Sequence, residues 1–211
     1  TGGLCGVNDC SFHAHGNGTI GHMVSTYAIR LYAWSAYAFC DDSLQSTMNG
    51  YFDVDSRFEW LDKIIRPKLL ELKTLQEKIS FTEQALLKRL SDVRENTVVN
   101  DTIQNILINK GSLDIAKLAK KSFVSTRQLE RLFHEYVGIT PKKLSNLIRY
   151  QFLWRDILCE PDFDVLSAVY KFGYTDQSHL LREFKRYHSM DIHNARIMAF
   201  KDVGNIQDVF V

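Results

Sequence analysis

Several features that would place this 211-residue sequence in other protein classes are missing. No apolar run approaches the length that spans a bilayer, so we expect no membrane helix. The first twenty residues have neither a basic start nor an apolar core, so we expect no signal peptide. Four cysteines in a chain of this size do not form a dense disulfide framework, which fits a reducing cytoplasm.

Patterns typical of catalysis are also missing. The sequence has no Ser/His/Asp arrangement, no paired carboxylates at a characteristic spacing and no phosphate-binding loop, so we expect neither an enzyme nor a cofactor. Four side chains of zinc-binding types lie close together near the start: Cys5, Cys10, His13 and His15. Their spacing matches no strong zinc pattern, and we predict no metal there.

Neither sign of charge dominates. Residues 1–97 carry 10 Lys+Arg and 12 Asp+Glu, a balance of −2, whereas residues 98–211 carry 16 and 13, a balance of +3. This weak basic bias would not by itself identify a protein that binds nucleic acid.

A repeated segment in the second half is the most informative pattern. Residues 125–136 align with residues 176–187 at an offset of 51 positions. The offset pairs residues of the same type: Leu129 with Leu180, Arg131 with Arg182, and Phe133 with Phe184. Each copy places Leu and Phe on one helical face and Arg on another. A shorter amphipathic run precedes each copy, which completes two helix-turn-helix patterns.

The starts of the repeats and the turns before them carry local signals. Ser125, with Gln128 at capping-box spacing, and Asp176 can each cap a helix. Gly173 suits a turn residue with positive φ, whereas Ser122 at the corresponding position does not. One copy alone would fit an ordinary helix pair in an all-α core, and the two copies together favour the helix-turn-helix interpretation.

A long helix is predicted between the two units. Thr140 can cap it, with Pro141 at its first position, where the missing N–H costs nothing. Apolar residues at three- and four-residue steps extend it to about Leu158, which gives a rigid spacer about 27 Å long.

The first half carries mixed patterns. Alternation over residues 19–32 predicts one or two strands, and residues 34–39 either extend them or form a short helix. Residues 55–92 have helical spacing that breaks or restarts at Pro67. These Leu-rich helices fit either a core or a dimer interface.

A helix start, a linker and a further helix are also predicted. Ser80 or Thr82 can cap a further helix. The polar residues 91–100 predict a linker. Residues 102–110 then predict a helix that stops at Gly111.

A set of motifs in the second half carries a family resemblance. The motifs are Ile115-Ala116, Ser125, Leu129-Glu130-Arg131, Phe133, Gly138-Ile139-Thr140-Pro141, Arg149, Phe172-Gly173-Tyr174, Leu180, Arg182 and Phe184-Lys185-Arg186. In combination they resemble the DNA-binding domain of the AraC/XylS transcription regulators. Residues 21–39 resemble the end of the amino-terminal sensing domain of some AraC-like proteins, whose upstream part we expect to be absent.

The second unit departs from this family pattern. After Arg186 the family usually has Gly and then Thr-Pro, whereas here Ser189 stands near the Gly position and Ile192 near the Pro position. Ser167 stands where the family usually has Ala. These departures put in question whether the second unit contacts DNA as the first does.

The patterns and the resemblance together predict a mainly α fold. Its C-terminal part is an all-α double helix-turn-helix domain with a long linker helix, and a small α+β or partial sensing region with helices precedes it. We expect an N-terminal sensing or dimerisation region at residues 1–97, an AraC-like DNA-binding domain at residues 98–200 and a C-terminal tail at residues 201–211.

The resemblance implies a bacterial-type, sequence-specific transcription regulator that inserts two recognition helices into successive major grooves of promoter DNA. By their position in the motif, eight side chains are expected to contact bases: Thr126, Arg127, Glu130, Arg131, Gln177, Ser178, His179 and Arg182. Four more are expected to contact phosphates: Lys142, Lys143, Lys185 and Arg186. For each basic residue the alternative is a solvated surface charge.

Double-stranded promoter DNA is the implied partner. A small-molecule effector, a second copy of the chain and, for an activator, RNA polymerase stay open as further partners, and no membrane is expected. One alternative is a metal or thiol sensor, or an alkyl-transfer protein, fused to a DNA-binding domain. Another is a helical protein-interaction module, which the salt dependence of DNA affinity would distinguish.

Overall fold

The computed structural model describes residues 3–5, 27–41, 44, 49–53, 58–90 and 96–201. Over these residues the fold is mainly α-helical, as predicted. The chain divides into two compact units: one holds most of residues 1–94 with 135–138, and the other holds mainly residues 95–134 and 139–211. The functional division of the chain stays a prediction, and the tail after residue 201 lies outside the described residues.

Two short strands and a 3-10 helix belong to the first unit. Strand β1 (Gly3–Cys5) pairs antiparallel with strand β2 (Tyr51–Asp53). The 3-10 helix spans Ala36–Phe39, which settles the two alternatives for residues 34–39 in favour of a short helix. The strand prediction for residues 19–32 is wrong over residues 27–32, which form no regular element. Its earlier part lies outside the described residues.

The alternation at residues 27–32 has a different physical origin. Tyr27, Ile29 and Leu31 are half-buried, and the residues between them are exposed. The Tyr27 hydroxyl lies 3.3 Å from the main-chain oxygen of Lys78 and 3.0 Å from the Thr82 hydroxyl oxygen. An irregular segment that packs one side onto a helix therefore has the same sequence pattern as a half-buried strand.

The helices of the first unit surround a small apolar core. A π-type turn at Leu61–Ile65 leads into helix α1 (Arg66–Glu71), which carries Pro67 in its first turn, where the missing N–H is tolerated. The helical backbone continues through this point, and the change predicted near Pro67 is the passage from the π-type turn to α1. Helix α2 spans Leu75–Leu90. Trp60 is buried in the core, and its indole N–H donates to the Phe39 carbonyl at 2.5 Å.

Helix α2 is continuous, so the prediction of a cap at Ser80 or Thr82 is wrong. Thr74 caps it instead, because the Glu77 N–H donates to the Thr74 hydroxyl at 3.2 Å and the Thr74 N–H donates to the Glu77 carboxylate at 2.9 Å. The Thr74 N–H and the Thr74 hydroxyl both donate to the Glu77 carboxylate, which lowers the pKa of Glu77. Thr82 is buried inside the helix and bonds to Tyr27.

Helix α3 (Thr97–Ile108) begins inside the segment predicted to be a linker. Asn96 caps it by accepting from the Val99 N–H at 3.1 Å, and Val99 is fully buried. The linker prediction is therefore wrong from Asn96 onward, because a polar residue there serves as a cap. Gly111 follows the helix with φ +73°, and its N–H donates to the Ile106 carbonyl at 2.8 Å, which confirms the predicted stop.

The two predicted helix-turn-helix units are present in the second unit of the fold. Their helices and the two that accompany them are α4 (Ile115–Lys121), α5 (Thr126–Tyr136), α6 (Pro141–Cys159), α7 (Val165–Phe172), α8 (Gln177–His188) and α9 (Ile192–Lys201). The long connecting helix α6 has 19 residues, and the Thr140 hydroxyl caps it by accepting from the Lys143 N–H at 3.2 Å.

The repeat reflects equivalent buried faces. Leu129 and Phe133 of α5 and Leu180 and Phe184 of α8 are each no more than 1% exposed. The part of the core around α8 also contains Trp154 from α6. Helices α5 and α8 therefore each turn their Leu and Phe inward, as the sequence predicted.

The two turns differ in which residue adopts the left-handed conformation. Gly173 has φ +66° in the second turn, as predicted. In the first turn Ser122 has φ −87°, and the next residue, Phe123, has φ +55°. Phe123 is also 98% exposed. The first turn thus holds a bulky residue in a conformation that favours glycine.

Phe123→Gly is expected to stabilise the protein by about 1 kcal/mol, because loss of Cβ relieves the left-handed strain and outweighs the added chain entropy. Ser122→Gly is the matched control and should cost roughly 0.5–1 kcal/mol, since Ser122 has no such strain. Urea denaturation gives both values. Destabilisation by both variants would contradict the strain at Phe123.

A half-buried histidine, His188, lies at the end of α8. The His188 ring lies 4.4 Å from the Phe184 ring and 4.3 Å from the Trp154 ring, measured between centroids. Its Nε2 is buried without a hydrogen-bond partner among the described residues. This burial lowers the pKa of His188 to about 4.

Folding stability should therefore fall in acid. An unfolded His188 binds a proton near pH 6.5 and the folded one near pH 4, so stability is complete above about pH 6.5 and is lost as the pH falls toward 4. Because the ring is partly exposed, we expect a loss of about 1–2 kcal/mol. His188→Phe should flatten this part of a stability-against-pH curve, and an unchanged slope would contradict the assignment.

Candidate nucleic-acid interface

Helix α5 presents an exposed polar face opposite its buried one. All four of its predicted base-contacting residues are exposed: Thr126, Arg127, Glu130 and Arg131. The Ser125 hydroxyl accepts from the Gln128 N–H at 3.1 Å, so the predicted cap is present. The cap fixes the start of the helix, and the first exposed residues follow it directly.

Helix α8 presents a comparable face with one difference. Gln177, Ser178 and Arg182 are exposed, whereas His179 is half-buried. Asp176 caps the helix by accepting from the His179 N–H at 2.7 Å, as predicted. The His179 side chain also has partners within the protein.

The His179 imidazole lies against the turn that precedes α8. Its ring meets the Tyr174 ring edge-on at 5.3 Å between centroids, and its Nε2 lies 3.9 Å from a carboxylate oxygen of Glu183. Its side chain is 38% exposed, so part of the ring stays accessible. Sequence reasoning placed His179 at the surface and did not identify these contacts.

The predicted phosphate-contacting residues lie at two places. Lys142 is exposed and Lys143 is half-buried in the first turn of α6, and Lys185 and Arg186 are exposed near the end of α8. Lys142 also lines an open cavity of about 290 Å³. Other residues lining this cavity are Gly111, Ser112, Leu113, Asp114, Arg149 and Gly173.

An ionic cluster joins α6 to α8. The Arg149 Nη2 donates to both carboxylate oxygens of Glu183, at 3.0 and 2.9 Å. The Tyr174 hydroxyl donates to the same carboxylate at 2.8 Å, and the Arg149 guanidinium lies 4.2 Å from the Tyr174 ring centroid. Burial and the nearby Glu183 charge raise the pKa of Tyr174, which keeps its hydroxyl a donor.

Sequence reasoning did not find this cluster. Arg149 and Tyr174 appeared only as members of the family motif, and Glu183 was not singled out. Arg149 and Glu183 are 34 positions apart, and no local spacing connects residues on different helices. The one signal in the sequence was that Glu183 is acidic, whereas the residues that follow it on α8 are mostly basic.

The residues of the second helix-turn-helix unit that depart from the family pattern each fit their local structure. Ser189 adopts φ +58°, the left-handed conformation that glycine would supply, and its N–H donates to the Lys185 carbonyl at 2.7 Å. Ile192 begins α9, which Asp191 caps by accepting from the Asn194 N–H at 2.9 Å. Ser167 is exposed, so a small polar side chain fits there.

Most of the residues that could form the alternative metal site lie outside the part of the chain that the structure describes. Cys10, His13 and His15 lie outside the described residues, as does the side chain of Cys5. Within the described ranges, no three metal-ligating side chains come together. Among the helices described, none is both long and apolar enough to cross a membrane.

Part of the chain is similar to known proteins. The family model described as "Helix-turn-helix domain" matches residues 118–196. A curated relative from Haemophilus influenzae, an uncharacterized HTH-type transcriptional regulator, is 26% identical over 111 residues. That match covers 53% of this chain and 36% of the relative, so the chain spans about a third of the relative's length.

Two solved structures are similar to about half of the chain. The first is an AraC-type transcriptional regulator from Chromobacterium violaceum, with 19% identity, a TM-score of 0.44, and coverage of 50% of this chain and 94% of that one. The second is the C-terminal domain of AraT, a response regulator from Geobacillus stearothermophilus, with 20% identity, a TM-score of 0.46, and coverage of 50% and 88%. This chain therefore carries a helix-turn-helix domain over residues 118–196.

Proposed function

We propose that the chain is a sequence-specific DNA-binding transcription regulator in which α5 and α8 each enter a major groove of promoter DNA. One observation carries the proposal. Both helices bury Leu and Phe and expose a polar, Arg-bearing face at equivalent positions of the repeat. An exposed helix face with such side chains is what major-groove recognition requires.

The exposed side chains suit base edges. Arg127 and Arg131 on α5 and Arg182 on α8 can bond to guanine through two nitrogens, and Gln177 can bond to adenine in the same way. Glu130 can accept from the cytosine amino group. The three remaining candidates, Thr126, Ser178 and His179, can each exchange a single hydrogen bond with a base.

The basic residues near the helix ends suit the phosphate backbone. In this proposal Lys142 and Lys143 contact one backbone segment, and Lys185 and Arg186 contact another. Such contacts position a protein on the duplex and do not discriminate between sequences. They should also make the affinity decrease steeply as salt increases.

The connecting helix supports the use of two grooves. At about 1.5 Å per residue, the 19 residues of α6 extend about 28 Å. Two recognition helices one turn of DNA apart would contact half-sites about 34 Å, or about 10 bp, apart between centres. An effector, a second copy of the chain and RNA polymerase stay as further proposed partners.

Arg127→Ala and Arg182→Ala are each expected to weaken specific binding by about 1–3 kcal/mol and to relax base preference at one half-site. Both side chains are exposed, so the fold should survive. Lys142→Ala is the control, and it should weaken binding to all sequences alike and reduce the salt dependence. Gel-shift titrations on a duplex selected by the native chain from random sequences provide the measurement.

Two outcomes would count against the proposal. Unchanged affinity in both Arg variants would refute their assignment to base contacts. An affinity of the native chain for DNA that is negligible at low salt would favour the helical protein-interaction module instead.

A further inference from the structure

We propose that the ionic cluster of Arg149, Tyr174 and Glu183 determines base preference at the half-site contacted by α8, although none of the three side chains touches DNA. The cluster would act by fixing the orientation of α8 on α6. The inference rests on the proposed function, and it assigns to these residues a role in specificity through positioning.

The burial of the cluster argues for a role in geometry. The Arg149 and Glu183 side chains are only 7% and 11% exposed. A buried ion pair often contributes no more stability than apolar side chains of similar volume, because both charges lose their hydration. Its hydrogen bonds are nevertheless directional, and here three of them converge on one carboxylate. Rotation or sliding of α8 along α6 would break the two bonds from Arg149, and the bond from Tyr174 holds the Glu183 carboxylate in position to accept them, so one orientation is favoured.

The cluster lies directly beside the side chains proposed to contact bases. Glu183 follows Arg182 in the sequence, and His179 precedes Glu183 by about one helical turn. The His179 ring rests on Tyr174, and its Nε2 lies 3.9 Å from Glu183. A change in the orientation of Glu183 would therefore also move His179 and Arg182, two of the side chains proposed to contact bases.

The first helix-turn-helix unit has no equivalent cluster. The offset of 51 positions pairs Tyr174 with Phe123 and Glu183 with Leu132. Tyr174 is 6% exposed, whereas Phe123 is 98% exposed, and Leu132 carries no charge. The effect of the cluster should therefore be confined to the half-site contacted by α8.

The test measures base preference separately at each half-site. The full chain first selects a duplex from random sequences, and Arg182→Ala identifies the half-site that belongs to α8. Discrimination is the ratio of the affinity for the selected duplex to the affinity for a duplex with one base pair changed, and it is compared between the native chain and the double variant Arg149→Met with Glu183→Leu. In the double variant this ratio should fall about tenfold for changes in the α8 half-site and stay the same for changes in the other half-site.

Two further variants keep the result interpretable. Tyr174→Phe removes one hydrogen bond to Glu183 and keeps the ring and the ion pair, so it should fold and lose about threefold in discrimination at the same half-site. Lys171→Met removes a different contact to α6, because the Lys171 Nζ lies 2.6 Å from Asp156 and 3.0 Å from Glu160. It should lower the melting temperature without changing base preference.

Each outcome has a defined meaning. Unchanged discrimination in both Tyr174→Phe and a folded double variant would overturn the inference and leave the proposed function standing. Equal losses at both half-sites, or the same loss in Lys171→Met, would reduce the cluster to a purely structural role and also overturn the inference. Failure of the native chain to select any sequence would overturn the proposed function, and the inference with it.

Discussion

Gly111→Ala should destabilise the compact unit that holds mainly residues 95–134 and 139–211 by about 4 kcal/mol or more. A loss of this size is among the largest effects of a single substitution. An added Cβ would overlap the Ser145 carbonyl oxygen and lie 2.6 Å from the Arg149 main-chain nitrogen. Both atoms belong to the backbone of α6, so neither can move aside independently of the helix. The φ of +73° adds roughly 1–2 kcal/mol of strain for any residue with a Cβ.

Gly173→Ala is the matched control for this substitution. Its φ of +66° imposes similar strain, but the nearest atom to an added Cβ is the hydroxyl oxygen of Ser112, an exposed side chain that can rotate away. We expect a loss of about 1–2 kcal/mol from Gly173→Ala. Guanidinium denaturation measures both losses. Equal losses would show that the contact between Gly111 and α6 contributes nothing beyond the backbone conformation.

Arg149→Met should cost about 3–5 kcal/mol, because it leaves the Glu183 carboxylate buried without its cationic partner. Glu183 would keep the Tyr174 hydroxyl as a donor, but a single neutral donor does not replace a guanidinium that bonds to both oxygens.

The double variant distinguishes the ion pair from its packing. Arg149→Met combined with Glu183→Leu removes both charges and should cost much less than Arg149→Met alone, so the coupling energy should be about 2 kcal/mol or more. Urea denaturation of the native chain, the two single variants and the double variant completes the cycle. Additive losses would mean that the two side chains do not interact in the folded state.

Features that depend on a few neighbouring residues could be predicted from the sequence. Ser125, Thr140 and Asp176 each cap the helix that follows, because the cap bond joins residues only three positions apart. Gly173 likewise marks the second turn, since its missing Cβ permits the left-handed conformation. The inward Leu and Phe of the repeat were predictable from helical periodicity for the same reason.

Features that depend on distant residues could not be predicted. The contact between Arg149 and Glu183 requires two helices to meet, and neither helix shows it in its own pattern. The alternation at residues 27–32 predicted a strand because one-sided burial produces the same alternation whether or not a second strand is present. Phe123 adopts the left-handed conformation although its side chain disfavours it, so residue type alone indicated nothing about that turn.

The most direct test of the central proposal is the pattern of sequences that the native chain selects from random duplex DNA. If α5 and α8 enter neighbouring major grooves, the selected duplexes should show two blocks of base preference about 10 bp apart between centres. Arg127→Ala should relax the preference in one block and Arg182→Ala the preference in the other. A single block that both variants weaken equally, or selected sequences with no shared preference, would contradict recognition by two helices.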